Sequence, residues 1–430
     1  MKVVLHIGTP KTGSSALQYF LNENRKQLAR HGYYYPKHNF DSNQISGGHG
    51  SLARFIDDGE LDKARAQLDT WLKAAARKNL VLLLSAEGFY TQAKTLPLLF
   101  EGHELSVAAF VRHPVEFVIA NHNQSVKRHF GTQTLQNVLE KVPQSQNRGV
   151  NGELLFEWAE AVGRDNLSVL AYHKPSLPKG RVEFAFLKWL GVSGLSLSGF
   201  RVPERLINTS YAPEALELKR LLNTVLIQDD RTINHQVDIF LQHYSDRRNN
   251  ETPRRAGGLP VQPAVLRSAY QAFEDSNARL LKELVQSPPK GFLKTPYSLG
   301  EPEVPDALGV LTLGRAMTEK LPEVSRYLQA RVEENLTQRR VPYAIYKLAD
   351  VIGIPYSEPE TPQVMREEFL RVFRAPKTVA ADHLRALAQF LVSEDYKNEA
   401  LNVIRQAEKQ RPNGPVIRDL RIALEKRFKG

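Results

Sequence analysis

The sequence predicts an α/β protein in which a parallel sheet is flanked by helices and followed by an all-helical C-terminal region. Short apolar runs typical of buried strands alternate with amphipathic helical segments through the first half of the 430-residue chain. The chain opens with a strand, a glycine-bounded loop and a helix, and beyond about residue 306 only helical periodicity remains. This alternation favours a sheet covered on both faces, with ligands bound at the carboxyl ends of its strands.

The first half supplies four predicted strands. The first covers residues 2–7, and it is followed by a loop over 8–13 and a helix that begins at Ser14. Three later apolar runs predict strands over 80–84, 105–111 and 167–172, and helical spacing predicts helices over 61–78, 116–127 and 154–162. The loop after the first strand, the cluster 85–88 and Arg112 all follow a predicted strand, so one edge of the sheet is the expected site.

The second half is predicted to be mainly helical. Helices are expected over 213–225 and 263–285, a polar mobile loop or lid over 245–263, and a proline-rich linker over 288–305. These features predict a catalytic domain over 1–298 and a helical domain over 299–430. Residues 387–428 resemble a helical hairpin, and part of them is similar to one tetratricopeptide repeat. An ordinary helical bundle explains the same pattern equally well.

Composition limits the classes of function. The formal net charge of +11 favours anionic partners, although it is also explained by solubility alone. The basic residues form no block or aromatic-interleaved stripe, so nucleic acid is not a predicted partner. The absence of cysteine excludes disulfides and thiolate chemistry. With strand-like residues from Lys2 and no bilayer-length apolar run, the prediction is a cytoplasmic protein, with peripheral membrane contact left open.

The strongest functional signal is the loop between the first strand and the first helix. Such a loop directs backbone N–H groups at an anion, and the helix N-terminus adds a positive partial charge. Its glycines have the spacing of the nucleoside-triphosphate loop GxxxxGK[ST], which makes it P-loop-like. Ser14, however, stands where that loop has its lysine, and the lysine of this chain is Lys11. A small-molecule kinase is the first alternative, but it needs a lysine after Gly13.

The loop resembles the phosphosulfate-binding loop of sulfotransferases that use 3′-phosphoadenosine 5′-phosphosulfate (PAPS). That loop reads Pro-Lys-(Thr or Ser)-Gly-(Ser or Thr)-(Ser or Thr), and the matching residues here are Pro10, Lys11, Thr12, Gly13, Ser14 and Ser15. The segment VRHPVEFVIANHNQSVK is similar to a segment of bacterial polysaccharide-type members. Arg112 matches their 3′-phosphate arginine, whereas Ala120 replaces an expected serine. Asn121 is one candidate for a substitute contact, and a third similarity, at residues 208–216, suggests Asn208 and Ser210 as the other.

The resemblance covers roughly residues 1–295 and implies the sulfotransferase fold with PAPS as donor and PAP as product. It implies transfer to a hydroxyl of a polysaccharide or glycolipid without a metal ion. Lys11 would stabilise the oxygen between phosphate and sulfate, and Thr12, Ser14 and Ser15 would hold the 5′-phosphate. Arg112 would hold the 3′-phosphate.

Two candidates compete as the base that deprotonates the acceptor. Glu87 follows the predicted strand 80–84 and matches the glutamate of an SSE motif in related bacterial members, whereas His49 lies in the glycine-rich stretch 46–50. Gln124 and Lys127 lie at helical spacing after Arg112 and are the candidate acceptor-binding residues.

The missing serine at Ala120 keeps a second alternative open, namely a non-catalytic scaffold that binds a nucleotide or glycan. The C-terminal helices are predicted to dock the acceptor or a protein partner, because every cofactor-like motif lies before about residue 215.

Overall fold

The computed structural model describes residues 1–40, 46–145, 150, 152–192, 194–202, 210–251, 259–292, 297, 302, 305–338, 341–357, 379–393 and 396–428. Five parallel strands form one sheet in the order β2-β3-β1-β4-β5. Their bounds are β1 Lys2–His6, β2 Tyr33–Tyr34, β3 Val81–Ser85, β4 Glu104–Val111 and β5 Leu167–Ala171. The predicted α/β class, with a parallel sheet flanked by helices, is therefore confirmed.

Alternating side chains of the strands face two separate cores, as expected for a sheet buried on both faces. Val3 and Leu5 of β1 pack with Leu82 and Leu84 of β3 in one core, and Val4 packs in the other. The first core is closed by α3 (Gly50–Asp57), α4 (Leu61–Arg77), α7 (Glu153–Val162) and α12 (Glu274–Glu283). The second is closed by α1 (Ser14–Glu23), α2 (Arg25–Arg30) and α8 (Val182–Trp189).

The remaining helices of this unit pack mainly on one another, beginning with the helix that follows β4. That helix is α5 (Pro114–Arg128), which packs with α6 (Leu135–Glu140) and α11 (Pro263–Gln271). The later helices of the same region are α9 (Pro213–Leu222), α10 (Arg231–Glu251), α13 (Ala307–Lys320), α14 (Pro322–Leu336) and α15 (Tyr343–Ile352). Pro114 at the first position and the His113 side chain, which accepts from the N–H of Val115, fix the start of α5.

Three local predictions differ from the structure. Residues 245–251, predicted as part of a loop, belong to α10, and the rest of that predicted loop lies partly outside the described residues. The single helix predicted over 263–285 is two helices, α11 and α12. Strand β2 was not predicted, because two residues are too few to show an alternating pattern.

The chain divides into two compact units, Met1–Pro355 and Tyr356–Gly430. In the second unit α16 (Ala380–Ser393) packs on α17 (Lys397–Gln410), which also packs on α18 (Pro415–Phe428). The predicted domain boundary at residue 298 stays a prediction, namely that residues 1–298 fold without the rest of the chain. Within the part of the chain described above, none of the helices has the length and apolarity needed to cross a bilayer.

Candidate active site at the carboxyl edge of the sheet

The loop between β1 and α1 is bent by residues with left-handed backbone. Gly8 and Gly13 have φ values of 81° and 86°, and Lys11 has a φ of 63°, which is uncommon for a residue with a side chain. Gly13 directly precedes α1, whose first N–H groups have no partner within the helix. The loop therefore presents backbone donors and the positive end of α1 to the same space, as an anion site requires.

Hydroxyl groups inside the loop maintain this shape. Thr9 donates to the carbonyl of Phe110 at 2.5 Å, which ties the loop to the end of β4. Thr12 donates to the carbonyl of Thr9 at 2.7 Å, and Ser14 lies 3.5 Å from the same oxygen. Thr12 and Ser14 are buried, whereas Ser15 and Pro10 are partly exposed. The hydroxyl groups of Thr12 and Ser14 thus contact the loop's own backbone and stabilise its shape.

Glu87 lies beside the start of this loop. Strands β1 and β3 are neighbours, with His6 opposite Ser85, so the residues that follow them meet at one edge. A Cβ on Gly8 would stand only 3.0 Å from the Cα of Glu87. The Glu87 carboxylate has access to solvent, yet surrounding protein raises its pKa by desolvation while the charge of Lys11 partly opposes that rise. The sequence-based placement of Glu87 beside the loop is thus observed.

Lys11 projects from the loop towards α5. Its ammonium group donates a hydrogen bond to Oε1 of Gln124. Desolvation lowers the pKa of Lys11, and the negative charge of Glu87 works against that decrease. Lys11 therefore contacts Gln124 of α5, and its charge interacts with that of Glu87.

Arg112 joins the end of β4 to the loop. Its Nη1 donates to the carbonyl of Lys11 at 3.1 Å, and its Nε and Nη2 lie 3.3 Å from Oε2 of Glu116. The guanidinium carbon lies 5.5 Å from the centre of the Tyr172 ring, which is within the range of a cation–π contact. Arg112 is thus held on three sides and lies against the loop.

A small, open depression adjoins the loop and Arg112. The residues that line it are Thr9, Pro10, Tyr90, Val111, Arg112, Phe117, Val150 and Gly152. Aromatic and aliphatic walls with one cation at the edge suit a ligand that is partly apolar and partly anionic.

His49 is buried behind the end of β3, and both of its ring nitrogens contact backbone groups. Nδ1 accepts from the N–H of Ser85 at 3.0 Å, and Nε2 lies 3.1 Å from the carbonyl of Pro36. Burial lowers the pKa of His49 to about 3, so the ring is neutral near pH 7. These contacts make His49 a support for the end of β3, two residues before Glu87, and the structure gives the ring nitrogens of His49 no contact with the loop 8–13.

The other predicted contacts are less closely tied to the loop. Lys127 is buried, its ammonium group donates to Oε1 of Gln242 at 2.5 Å, and its pKa is lowered to about 8, mainly by desolvation. Ser210 is exposed, and its carbonyl accepts from Asn249 of α10. Asn208 lies outside the described residues.

Sequence reasoning missed the residues that support this site from behind. Val182 and Tyr172 lie 3.1 and 3.4 Å from the position of a Cβ on Gly13, so the start of α8 packs against the loop. Glu116 pairs with Arg112, which lies four residues earlier in the chain, just before α5. The i,i+4 spacing of that pair was visible in the sequence, whereas the long-range contacts of Val182 and Tyr172 depend on the packing of the sheet.

A search with protein-family models and a search of curated proteins each found no match. Among solved structures, the chain is similar to a sulfotransferase from Alicyclobacillus acidocaldarius. The two share 13% identity with a TM-score of 0.32, and the match covers 52% of this chain and 94% of the other. Similarity at this level identifies no function, so the assignment depends on the residues of the site.

Proposed function

We propose that this protein is a sulfotransferase that moves a sulfuryl group from PAPS to a hydroxyl of an acceptor, giving PAP. The observation that carries the proposal is the placement of Lys11 and Glu87 beside one anion-binding loop, with each charge influencing the pKa of the other. A cation and a weakly basic carboxylate at one anion site are what transfer to a hydroxyl needs, because the leaving group gains charge and the acceptor loses a proton.

The donor set fits a ligand with two phosphate-type groups. The loop N–H groups, the start of α1 and Lys11 suit the 5′-phosphosulfate, and Arg112 at the edge of the loop suits the 3′-phosphate. When bound, PAPS supplies an activated sulfuryl group.

The residues of the chain then have separate tasks. The loop holds the anion in one orientation, so that the acceptor hydroxyl attacks the sulfuryl group from a fixed direction. The Lys11 ammonium group must either break its hydrogen bond to Gln124 or donate a second one to the bound anion. Its charge then stabilises the oxygen that leaves the sulfur. Glu87 accepts the proton of the acceptor hydroxyl, and its raised pKa makes it a better base than an ordinary glutamate near neutral pH.

The acceptor is proposed to be a polysaccharide or glycolipid hydroxyl, on the resemblance to bacterial polysaccharide-type members. We further propose that the protein is cytoplasmic and that its C-terminal helices dock the acceptor or a protein partner.

Cofactor choice tests the proposal. Thermal stabilisation by PAP, AMP and ATP is measured at equal concentrations, because a ligand that binds only the folded state stabilises it in proportion to RT ln(1 + [L]/Kd). PAP is expected to stabilise the protein far more than AMP or ATP does. Equal shifts with AMP and PAP would reject the proposal, and a transfer assay with labelled PAPS across candidate glycans then identifies the acceptor.

A further inference from the structure

We infer that Glu116 is a positioning residue that sets the selectivity of this site for a 3′-phosphate. The inference rests on the proposed function and adds a residue to it. Glu116 is held on the first turn of α5, where Pro114 and the cap formed by His113 fix the backbone. From that turn its carboxylate reaches the guanidinium group of Arg112, and the two side chains are 18% and 20% exposed.

The hydrogen bonds of Arg112 divide its donors into two sets. A guanidinium group has five N–H donors in a fixed plane. Two of them, on Nε and Nη2, point to Oε2 of Glu116, and one on Nη1 points to the carbonyl of Lys11. Five donors minus these three leave two N–H groups without a partner among the described residues, one on Nη1 and one on Nη2. Arginine binds phosphate oxygens through N–H groups of this kind, so these two are the donors that Arg112 can offer to a phosphate.

Glu116 and Tyr172 together restrict how the guanidinium plane can turn. Glu116 holds the Nε edge, and the Tyr172 ring lies 5.5 Å from the guanidinium carbon. An arginine side chain loses considerable rotamer freedom when it is fixed, and here that loss precedes ligand binding. A phosphate that reaches Arg112 then meets N–H donors that are already aligned. This favours a ligand with a 3′-phosphate, such as PAP, over a ligand without one, such as AMP.

The same contacts connect the arginine with the loop. Lys11 has left-handed backbone, and its carbonyl accepts from Arg112, so the orientation of the guanidinium also supports the loop conformation. The negative charge of Glu116 offsets part of the positive charge of Arg112, which reduces attraction for anions in general. Selectivity therefore comes from the geometry of the two remaining N–H groups more than from charge.

The test compares the affinities for PAP and AMP, by calorimetry, in the wild-type protein and in Glu116→Gln. A charge-assisted contact is lost, so PAP should bind about tenfold more weakly while AMP changes by less than about twofold. Glu140→Gln is the matched control, because Glu140 is an exposed residue of the neighbouring α6 that pairs only with Gln136 in the described structure, and it should leave both affinities unchanged.

A double-mutant cycle separates positioning from general support. In the background of Arg112→Ala, the Glu116→Gln change should have no further effect on the ratio of the two affinities, since it acts through Arg112. If Glu116→Gln does not fold, Glu116→Asp is measured instead, and its shorter arm should lower the ratio partially. A wild-type ratio or tighter PAP binding in the folded variant would overturn the inference. Equal affinities of the wild-type protein for PAP and AMP would instead overturn the proposed function, and the inference with it.

Discussion

The Cα of Glu87 packs against Gly8, so closely that a Cβ at position 8 would stand 3.0 Å from it. This contact sets the distance between the end of β3 and the start of the loop that joins β1 to α1. Two requirements meet at Gly8, because its φ of 81° also favours glycine. Glycine at this position is therefore needed both for the turn of the loop and for the approach of the proposed base.

The change Gly8→Ala separates these two requirements. Left-handed backbone costs an alanine about 1–2 kcal/mol, and the contact with Glu87 should add to that cost. Gly102→Ala is the matched control, since Gly102 has a φ of 80° and no atom within 4 Å of its Cβ position. Urea unfolding should show a larger loss of stability for Gly8→Ala, and transfer activity should fall in that variant alone. Equal losses of stability with unchanged activity would contradict the role given to the contact.

Lys11→Ala should lower turnover by about 10²–10³-fold, because one preorganised charge at the leaving oxygen is removed. Its affinity for PAP should change much less, since the loop N–H groups remain. The acid limb of the pH–rate profile should move to higher pH, because the charge of Lys11 lowers the pKa of Glu87. Lys94→Ala, at an exposed lysine, is the control. Turnover close to the wild-type value in Lys11→Ala would show that the loop has another function.

Truncation tests the division of the chain. Helix α13 packs on α9, and Tyr327 of α14 donates to Asp230 at 2.6 Å, so the segment 307–355 belongs to the first compact unit. A chain that ends at residue 355 should keep its affinity for PAP. A chain that ends near residue 298 should be less stable, because it exposes the surface of α9 and α10 that these helices cover. Loss of PAP binding by a folded 1–355 chain would place part of the cofactor site in the C-terminal helices.

The sequence was sufficient to predict the parallel sheet and the residues that lie at the same edge as the loop between β1 and α1. Apolar runs identified four of the five strands, and a parallel sheet brings the residues after β1, β3 and β4 to one edge, which placed Lys11, Glu87 and Arg112 correctly. Partners that depend on side-chain packing could not be predicted. His49 shows this, because a histidine in a glycine-rich loop has the same pattern whether its nitrogens face a ligand or the backbone of β3.

The same limit applies along α5. Helical spacing grouped Gln124 with Lys127, yet Gln124 accepts from Lys11 while Lys127 donates to Gln242 of α10. A period of 3.6 residues tells which side chains share a face, but it does not tell what covers each part of that face. The full length of α10 could not be predicted for a related reason. The polar residues 245–251 are helical and are supported by tertiary contacts, such as the hydrogen bond that the N–H of Ala212 donates to the Ser245 hydroxyl.

Glu87→Gln tests the proposed base. Gln keeps the shape of the side chain and removes its basicity, so PAP should bind normally while transfer falls by about 10²–10⁴-fold. The pKa of Glu87 is raised in the folded state, so its contribution to stability is present below the unfolded value of about 4.5 and is lost as pH rises through the folded pKa. Unfolding measured from about pH 4.5 upwards should therefore favour the wild-type protein over the variant most at the acidic end.

His49→Ala completes the comparison between the two candidate bases. It removes the acceptor for the Ser85 N–H and leaves the carbonyl of Pro36 without its partner, so the main expected effect is lower stability, by about 1–3 kcal/mol for each buried group left unpaired. Turnover per folded molecule should fall far less than in Glu87→Gln, because the neutral ring lies behind β3 and titrates at a pKa of about 3, well below the working range of a base. If Glu87→Gln keeps full transfer while folded His49→Ala loses it, the base is His49, and β3 must rearrange when the acceptor binds.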